Sequence, residues 1–343
     1  MTRLHALTVK GFKSIKSLEN FKLNNLNVLI GINGAGKSNF ISIFHLLNNI
    51  RRQDFQLYVQ KQGGVDSFLH FGRKITDEIV LKFEFDGNSL EHRLLPSNDN
   101  RLLWEDETLI LPNPRDNLEE LNGFRNYIKH NISRWKIYHF HDTSDTARVK
   151  GQSAINDNLI LKTDGENLSA YLYMLYDKYP TEYQRIVSTI RLVLPFFDNF
   201  VIRKNVELVE LEWFQKGQQD TPLKAHLLSD GSLRFICLMT LLLQPIDLLP
   251  DTLLIDEPEL GLHPYAIAIL ADVIKQIAEE KQIIISTQSV SLVNYFEPND
   301  VVVVNQKEGV SSFERLNNET LAAWLEDYAL GELWETNLLG GRP

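Results

Sequence analysis

Eight residues constrain this chain more than any others: Gly31-Ile32-Asn33-Gly34-Ala35-Gly36-Lys37-Ser38 spells a full G-x-x-x-x-G-K-S. Its glycines let the backbone curl so that successive N–H groups point at phosphate oxygens. A helix starting there adds the positive end of its dipole. Lys37 then reaches the β- and γ-phosphates of a bound triphosphate, and Ser38 ligates Mg2+. The flanks suit the motif. Leu26-Asn27-Val28-Leu29-Ile30 reads as a buried strand, and from Asn39 to Ile50 the apolar residues Phe40, Ile43, Phe44, Leu47 and Ile50 share one helical face. Asn33, Gly34, Ala35, Gly36, Lys37, Ser38 and Asn39 are the candidate cradle.

A second motif, Thr252-Leu253-Leu254-Ile255-Asp256-Glu257-Pro258-Glu259, is an apolar strand ending in carboxylates. Asp256 can hold the magnesium directly or through water. Glu257 can orient and deprotonate a water in line with the γ-phosphate. Alone, such a pair could be a solvated strand end; the phosphate loop tips the reading toward chemistry. In Leu228-Ser229-Asp230-Gly231-Ser232-Leu233-Arg234, Ser229 reads as a helix N-cap with Gly231 easing the turn. The same hydroxyl and N–H groups form an anion site. One triphosphate needs only one loop, so a second phosphate site calls for an explanation.

The rest of the chain is an α/β pattern interrupted in the middle. Leu4 to Val9 suggests a strand. Ile79–Phe85 and Leu90–Leu95 flank Asp86-Gly87-Asn88-Ser89, a hairpin-type turn, and Arg101 to Leu111 supplies one or two further strands before Pro112-Asn113-Pro114. From about 115 to 200 the pattern is mainly helical, as in Asn167–Tyr179 and Thr181–Leu194, and Val206–Phe214 reads as a strand. Helix Ser232–Leu243, strand Thr252–Ile255, helix Pro264–Ala278 and strands Gln282–Ser286 and Val301–Val304 then alternate as in a parallel sheet buried on both faces. The expected architecture is a nucleotide-binding α/β core of mixed or parallel sheet, built from both chain ends, with an antiparallel β lobe and a helical insertion. The expected division is an N-terminal lobe over 1–114, a mainly helical insertion or lid over 115–225 and a C-terminal lobe over 226–343.

Composition narrows the setting. The chain has 343 residues, 43% of them hydrophobic and 23% charged, enough for a real core and against disorder as the main state. Its charge, 35 − 45 = −10, gives no general attraction to phosphate backbones, so nucleic acid would need a local basic patch. The longest apolar stretch, Phe235 to Leu243, falls well short of the ~20 residues of a membrane span. The N-terminus lacks the apolar core of a secretion signal, and the single cysteine, Cys237, fits a reducing compartment. A soluble cytoplasmic protein without membrane contact is expected.

Taken together, the phosphate loop, Ser229-Asp230-Gly231-Ser232 before a helix, and Ile255-Asp256-Glu257-Pro258-Glu259-Leu260-Gly261-Leu262-His263-Pro264 resemble ABC-type ATPase heads. More narrowly they resemble the RecF/SMC/OLD-like branch of bacterial AAA-type ATPases, of which Gly11-Phe12-Lys13-Ser14-Ile15 is also typical. The resemblance implies an ABC-ATPase head fold that binds and hydrolyses ATP with Mg2+. It makes Ser229–Ser232 the signature that contacts a triphosphate held by the opposite subunit, which accounts for the second anion site through a head-to-tail dimer. Glu259 to His263 would be the loop crossing the dimer seam. The signature departs from Ser-Gly-Gly-Gln, placing Asp230 near phosphate, so slow turnover is expected. At the switch after strand Ile283-Ile284-Ile285, Gln288 stands where the wider family has histidine; it donates to a γ-phosphate but does not titrate. Gln62 and Gln152 are candidates for the Q-loop glutamine.

The same resemblance frames partners. Between Lys37 and Asp256 the spacing is 256 − 37 = 219 residues, too short for an SMC-type coiled-coil arm, and the chain stops at Gly340-Gly341-Arg342-Pro343 without a TOPRIM domain. Stand-alone ATPases of this branch act beside a separately encoded effector, such as a TOPRIM-type or other nuclease, often in antiphage defence. The alternative is a DNA-repair or DNA-sensing head that grips duplex DNA, for which Lys10, Lys13, Lys16, Lys22, Arg51 and Arg52 could form a patch; a plain charged face is the competing reading. His139-Phe140-His141-Asp142 reads as a strand rather than a metal site, and Cys237 as core rather than nucleophile. Trp324, Tyr328 and Trp334 fit either a docking helix or core packing.

Overall fold

The computed structural model describes residues 3–50, 52–85, 88–110, 123, 126, 132 and 134–341. The chain divides into two compact units. One comprises residues 1–137, 251–254 and 281–343; the other comprises 138–250 and 255–280.

The first unit contains one antiparallel sheet and all of a second sheet except Tyr138, Ile255 and Asp256. An antiparallel sheet joins β1 (Leu4–Phe12), β2 (Ile15–Lys22), β4 (Ile79–Phe85), β5 (Asn88–Pro96) and β6 (Leu102–Ile110) in the order β2-β1-β4-β5-β6. Along β4, Ile79, Leu81, Phe83 and Phe85 are buried and alternate with half-exposed residues, the signature of a sheet with one face on the core. The second sheet contains β3 (Leu26–Ile30), β7 (Ile137–Tyr138), β13 (Thr252–Asp256), β14 (Gln282–Ser286), β15 (Val301–Lys307) and β16 (Val310–Arg315), ordered β16-β15-β3-β14-β13-β7. Both β14 and β15 pair parallel to β3, and all residues of β3 and β14 are buried. Helix α1 (Lys37–Ile50) inserts Phe40 and Phe44 into a core made with Leu7 and Phe83 of one sheet and Leu29 and Ile284 of the other. Trp135 closes it, 5.2 Å from Phe44 between ring centres. Each such buried apolar side chain contributes about 1.5–3 kcal/mol. Helix α2 (Phe55–Lys61) follows α1, and α7 (Val290–Val293), α8 (Asn318–Leu325) and α9 (Leu330–Glu335) complete this unit.

The second unit is built on helices α3 (Leu168–Lys178), α4 (Pro180–Val193), α5 (Asp230–Leu242) and α6 (Pro264–Ala278). Helix α5 is buried from Leu233 to Leu242 apart from Arg234, as a central core helix must be, and it packs on both α4 and α6. Two small antiparallel sheets complete the unit, β12-β11-β9 and β10-β8, from β8 (Ser153–Ala154), β9 (Phe197–Phe200), β10 (Leu208–Val209), β11 (Glu212–Gln215) and β12 (Gln218–Lys224); β8 contacts α3 and β9 contacts α4.

The expected α/β class, antiparallel lobe and helices are present, and three local expectations are corrected. No α-helix forms over 135–166. Asp142 accepts from the Ser144 N–H and hydroxyl, and Asn167 clasps Lys162 N–H and the Asp157 and Ile160 carbonyls, so short polar side chains claim the backbone groups a helix needs. The Val206–Phe214 strand is two strands in two sheets, because Val209 pairs with Ser153 whereas Trp213 pairs with Phe200 and Leu223. His139 and His141 lie beyond the end of β7 rather than on a strand. Asp86, Gly87, Arg51, the Pro112-Asn113-Pro114 break, most of 115–131, Arg342 and Pro343 fall outside the described residues. Among the described residues no helix is long and apolar enough to cross a membrane.

Candidate functional site

The phosphate loop joins the end of β3 to the start of α1. Gly31, Gly34 and Gly36 hold φ of +150°, +83° and +119°, a region that side-chain-bearing residues avoid. A Cβ on Gly31 would lie 2.2 Å from the Val304 carbonyl oxygen, and one on Gly36 2.2 Å from Ser311 Oγ; at Gly34 it would meet nothing. The first and third glycines therefore allow close packing, and the second allows the curl alone. Asn33, Gly34 and Ser38 are exposed, while Ala35, Gly36 and Lys37 are buried. The Lys37 ammonium donates to the Gly31 and Ile32 carbonyls, the latter at 3.2 Å, which wraps the loop around the charge. The first turn of α1 carries no acid to cancel its dipole.

Beneath the loop lies a polar cluster that the sequence did not announce. Ser14, in the β1–β2 turn, accepts from Asn39 Nδ2 and from the Ser311 hydroxyl, both at 2.7 Å, and Ser311 N–H donates to the Ser14 carbonyl. Asn39, a candidate nucleotide contact, thus spends its side-chain amide on Ser14. Ser14 belongs to the Gly-Phe-Lys-Ser-Ile motif, which could have flagged it; nothing local marks Ser311. Replacing Ser14 by alanine takes the acceptor from the half-buried Asn39 amide and leaves the Ser311 hydroxyl with the Ala35 carbonyl alone, a cost of about 1 kcal/mol. We expect Ser14→Ala to lower the urea midpoint accordingly and to weaken nucleotide binding; an unchanged midpoint would mean the cluster is not holding the loop.

Other sequence candidates scatter. Lys13 sits at φ +49°, donates to Ser42 Oγ at 3.1 Å and lies over the Phe12 and Phe68 rings; burial lowers its pKa. Lys10 pairs with Glu19 and Arg52 with Asp54, whereas Lys16 and Lys22 are exposed. At the switch, Ser286 pairs with Leu29 and Thr287 N–H donates to the Leu29 carbonyl, so Gln288 leaves the sheet level with the start of the phosphate loop. Gln62 is exposed after α2, and Gln152 lines a cleft with Tyr173, Arg203 and Glu212. Trp334 is fully buried, while Trp324 and Tyr328 are about half exposed, which divides that aromatic set between core and surface. Cys237 is buried in α5, where burial pushes its thiol pKa up.

In the second unit the acidic pair, the loop after it and the start of α5 are neighbours. Asp256 and Glu257 are half-buried, and Glu257 adopts φ +44°, a strained conformation for a glutamate. Ser229 caps α5: its Oγ accepts from Ser232 N–H at 3.2 Å and contacts the Ser232 hydroxyl at 2.8 Å. Asp230 is exposed in the first turn. Gly231 lies so close to Gly261 that a Cβ would stand 2.3 Å from its carbonyl oxygen. Arg234, unremarked in the sequence, donates to the carbonyls of Phe140 (3.2 Å), His141 (2.8 Å) and Leu260 (3.0 Å). His141 Nε2 in turn meets the Asp256 carbonyl at 3.0 Å, a backbone role rather than a metal one. Among the described residues no group of three His, Cys, Asp or Glu could hold a metal by itself. Of the sequence candidates for the metal, Ser38 lies in the first unit and Asp256 in the second, and each carries an oxygen of the hard kind that Mg2+ takes.

Residues 26–294 match the family described as AAA domain, putative AbiEii toxin, Type IV TA system. The chain belongs to this AAA family. No curated protein matches it. The fold of this AAA chain is that of SMC ATPase heads. An SMC head bound to the C-terminal winged-helix domain of ScpA aligns with TM-score 0.64 at 16% identity, covering 93% of this chain and 99% of that one. A Pyrococcus furiosus SMC head with an extended coiled coil, bound to the C-terminal domain of ScpA, gives 0.59 at 15% identity, covering 95% and 99%. The SMC head from Thermotoga maritima gives 0.50 at 15%, covering 92% and 99%.

Proposed function

We propose that this AAA protein is an ATPase of the RecF/SMC/OLD-like branch that binds ATP with Mg2+, closes as a head-to-tail dimer and thereby gates or scaffolds a separately encoded effector. The observation that carries the reading is the glycine-built loop closed around Lys37 at the start of an acid-free helix turn. Asn33 to Asn39 would cradle the phosphates, with Lys37 on the β- and γ-groups. Ser38 and Asp256 would hold Mg2+, which when bound neutralises charge on the β- and γ-phosphate oxygens. Glu257 would take the proton of the attacking water and Gln288 would donate to the γ-phosphate. Ser229, Asp230, Gly231 and Ser232 would meet the triphosphate held by the second copy, their hydroxyls and N–H groups being grouped by the Ser229 cap.

The family's toxin–antitoxin description and the ScpA domains seated on SMC heads support a protein partner, a nuclease of TOPRIM or other type being one kind of effector, and a role in defence. The duplex-DNA reading is less well supported, because Lys10 and Arg52 pair with acids and Lys13 is tucked against aromatic rings. Calorimetric titration with ATP and Mg2+ tests the core of the reading. The parent should bind one ATP per chain, and Lys37→Ala should lose at least about tenfold in affinity. Equal affinity in both would remove the phosphate loop from the account.

A further inference from the structure

We infer that Arg234 is a positioning residue that makes hydrolysis at one nucleotide conditional on engagement of the other; the inference rests on the head-to-tail ATPase reading above. Arg234 lies two residues beyond Ser232 in the first turn of α5. Its planar guanidinium reaches three backbone carbonyls, those of Phe140, His141 and Leu260, and lies 3.4 Å from Thr143 Oγ1. A Cβ on Gly261 would stand 2.5 Å from its Nη1, so the fork crosses the chain where no side chain fits. Among the described residues Arg234 pairs with no carboxylate. Its bonds fix geometry rather than neutralise charge.

Those three carbonyls belong to segments with different duties. Leu260 is in the loop after the acidic pair. His141 bonds to the Asp256 carbonyl at 3.0 Å. Arg234, His141, Asp256 and Glu257 line one small recess. One rigid cation therefore joins the start of α5 to both sides of Glu257, whose left-handed backbone must be held in place by its surroundings. In a head-to-tail pair the start of α5 meets the nucleotide bound by the partner, whereas Glu257 acts on the nucleotide of its own chain. A shift of the α5 start on meeting the partner's triphosphate reaches Glu257 through the guanidinium. Lysine offers one ammonium in place of five N–H groups on a planar fork, so it cannot span the same carbonyls.

Steady-state hydrolysis against ATP concentration tests this. The parent should show a Hill coefficient approaching about 2, the number of coupled sites. Arg234→Lys should fall to about 1, with kcat about tenfold lower through misplacement of the base and the half-saturating ATP concentration nearly unchanged. A general loss of packing would instead lower the melting temperature and affect both parameters. Parental cooperativity in Arg234→Lys overturns the inference. A second measurement leaves Arg234 intact: in mixed dimers of parent and Lys37→Ala chains, the occupied site should turn over about tenfold more slowly, because its own α5 start faces an empty loop. Turnover there at the parental rate also overturns it. If instead the parent hydrolyses ATP at a rate per chain independent of protein concentration, with a Hill coefficient of 1, the dimer reading itself has failed.

Discussion

Glu257→Gln protein should bind ATP as tightly as the parent, hydrolyse it about 10²–10⁴ times more slowly, and elute as a dimer when ATP and Mg2+ are present. Glutamine keeps the size of the side chain and its capacity to accept a hydrogen bond from water, but it has no basic oxygen to receive the proton. It also tolerates the backbone no worse than glutamate does at φ +44°. The triphosphate would then persist at the seam between two copies and hold them together. Turnover at the parental rate would place the base elsewhere. A monomeric elution profile with bound ATP would instead remove the seam.

Gly36→Ala should be strongly damaging. At φ +119° a side chain is strained before any contact is considered. The new Cβ would also stand 2.2 Å from Ser311 Oγ and 2.9 Å from Ser311 Cβ. Ser311 has little room to yield, since its hydroxyl reaches both Ser14 Oγ and the Ala35 carbonyl. The two costs together suggest about 2–4 kcal/mol lost from stability. Nucleotide binding should go with it, because Gly36 lies inside the curl. Chemical denaturation and ATP titration of the same sample measure both. Gly34→Ala is the control: strained at φ +83° but with no neighbour within 4 Å, it should be the milder change. Equal effects at the two positions would show that backbone conformation, not the Ser311 contact, sets the penalty.

The contrast between these glycines explains how much was legible from the residues alone. The phosphate loop was readable because its chemistry is local: eight consecutive positions specify a turn, a charge and a helix start. The buried strands Leu26–Ile30 and Gln282–Ser286 were readable because parallel strands covered on both faces are continuous in apolar residues. The cap of α5 was readable, since Ser229 carries the hydroxyl that a helix start needs, and only the bounds shifted, from Ser232–Leu243 to Asp230–Leu242. What escaped depends on distant partners. Ser311 matters through a turn 297 residues away in the chain, and Arg234 through carbonyls 26 and 93–94 residues away. Residues 135–166 misled because helix-compatible spacing was overruled by Asp142 and Asn167 bonding to nearby backbone.

Cys237 is the only sulfhydryl in the chain, it is fully enclosed in α5, and its surroundings disfavour the thiolate that alkylating dyes require. The native protein should consequently be silent to maleimides. A cysteine introduced at exposed Leu227 could carry a fluorophore or spin label without first rebuilding the interior, so the opening and closing of the proposed pair becomes measurable.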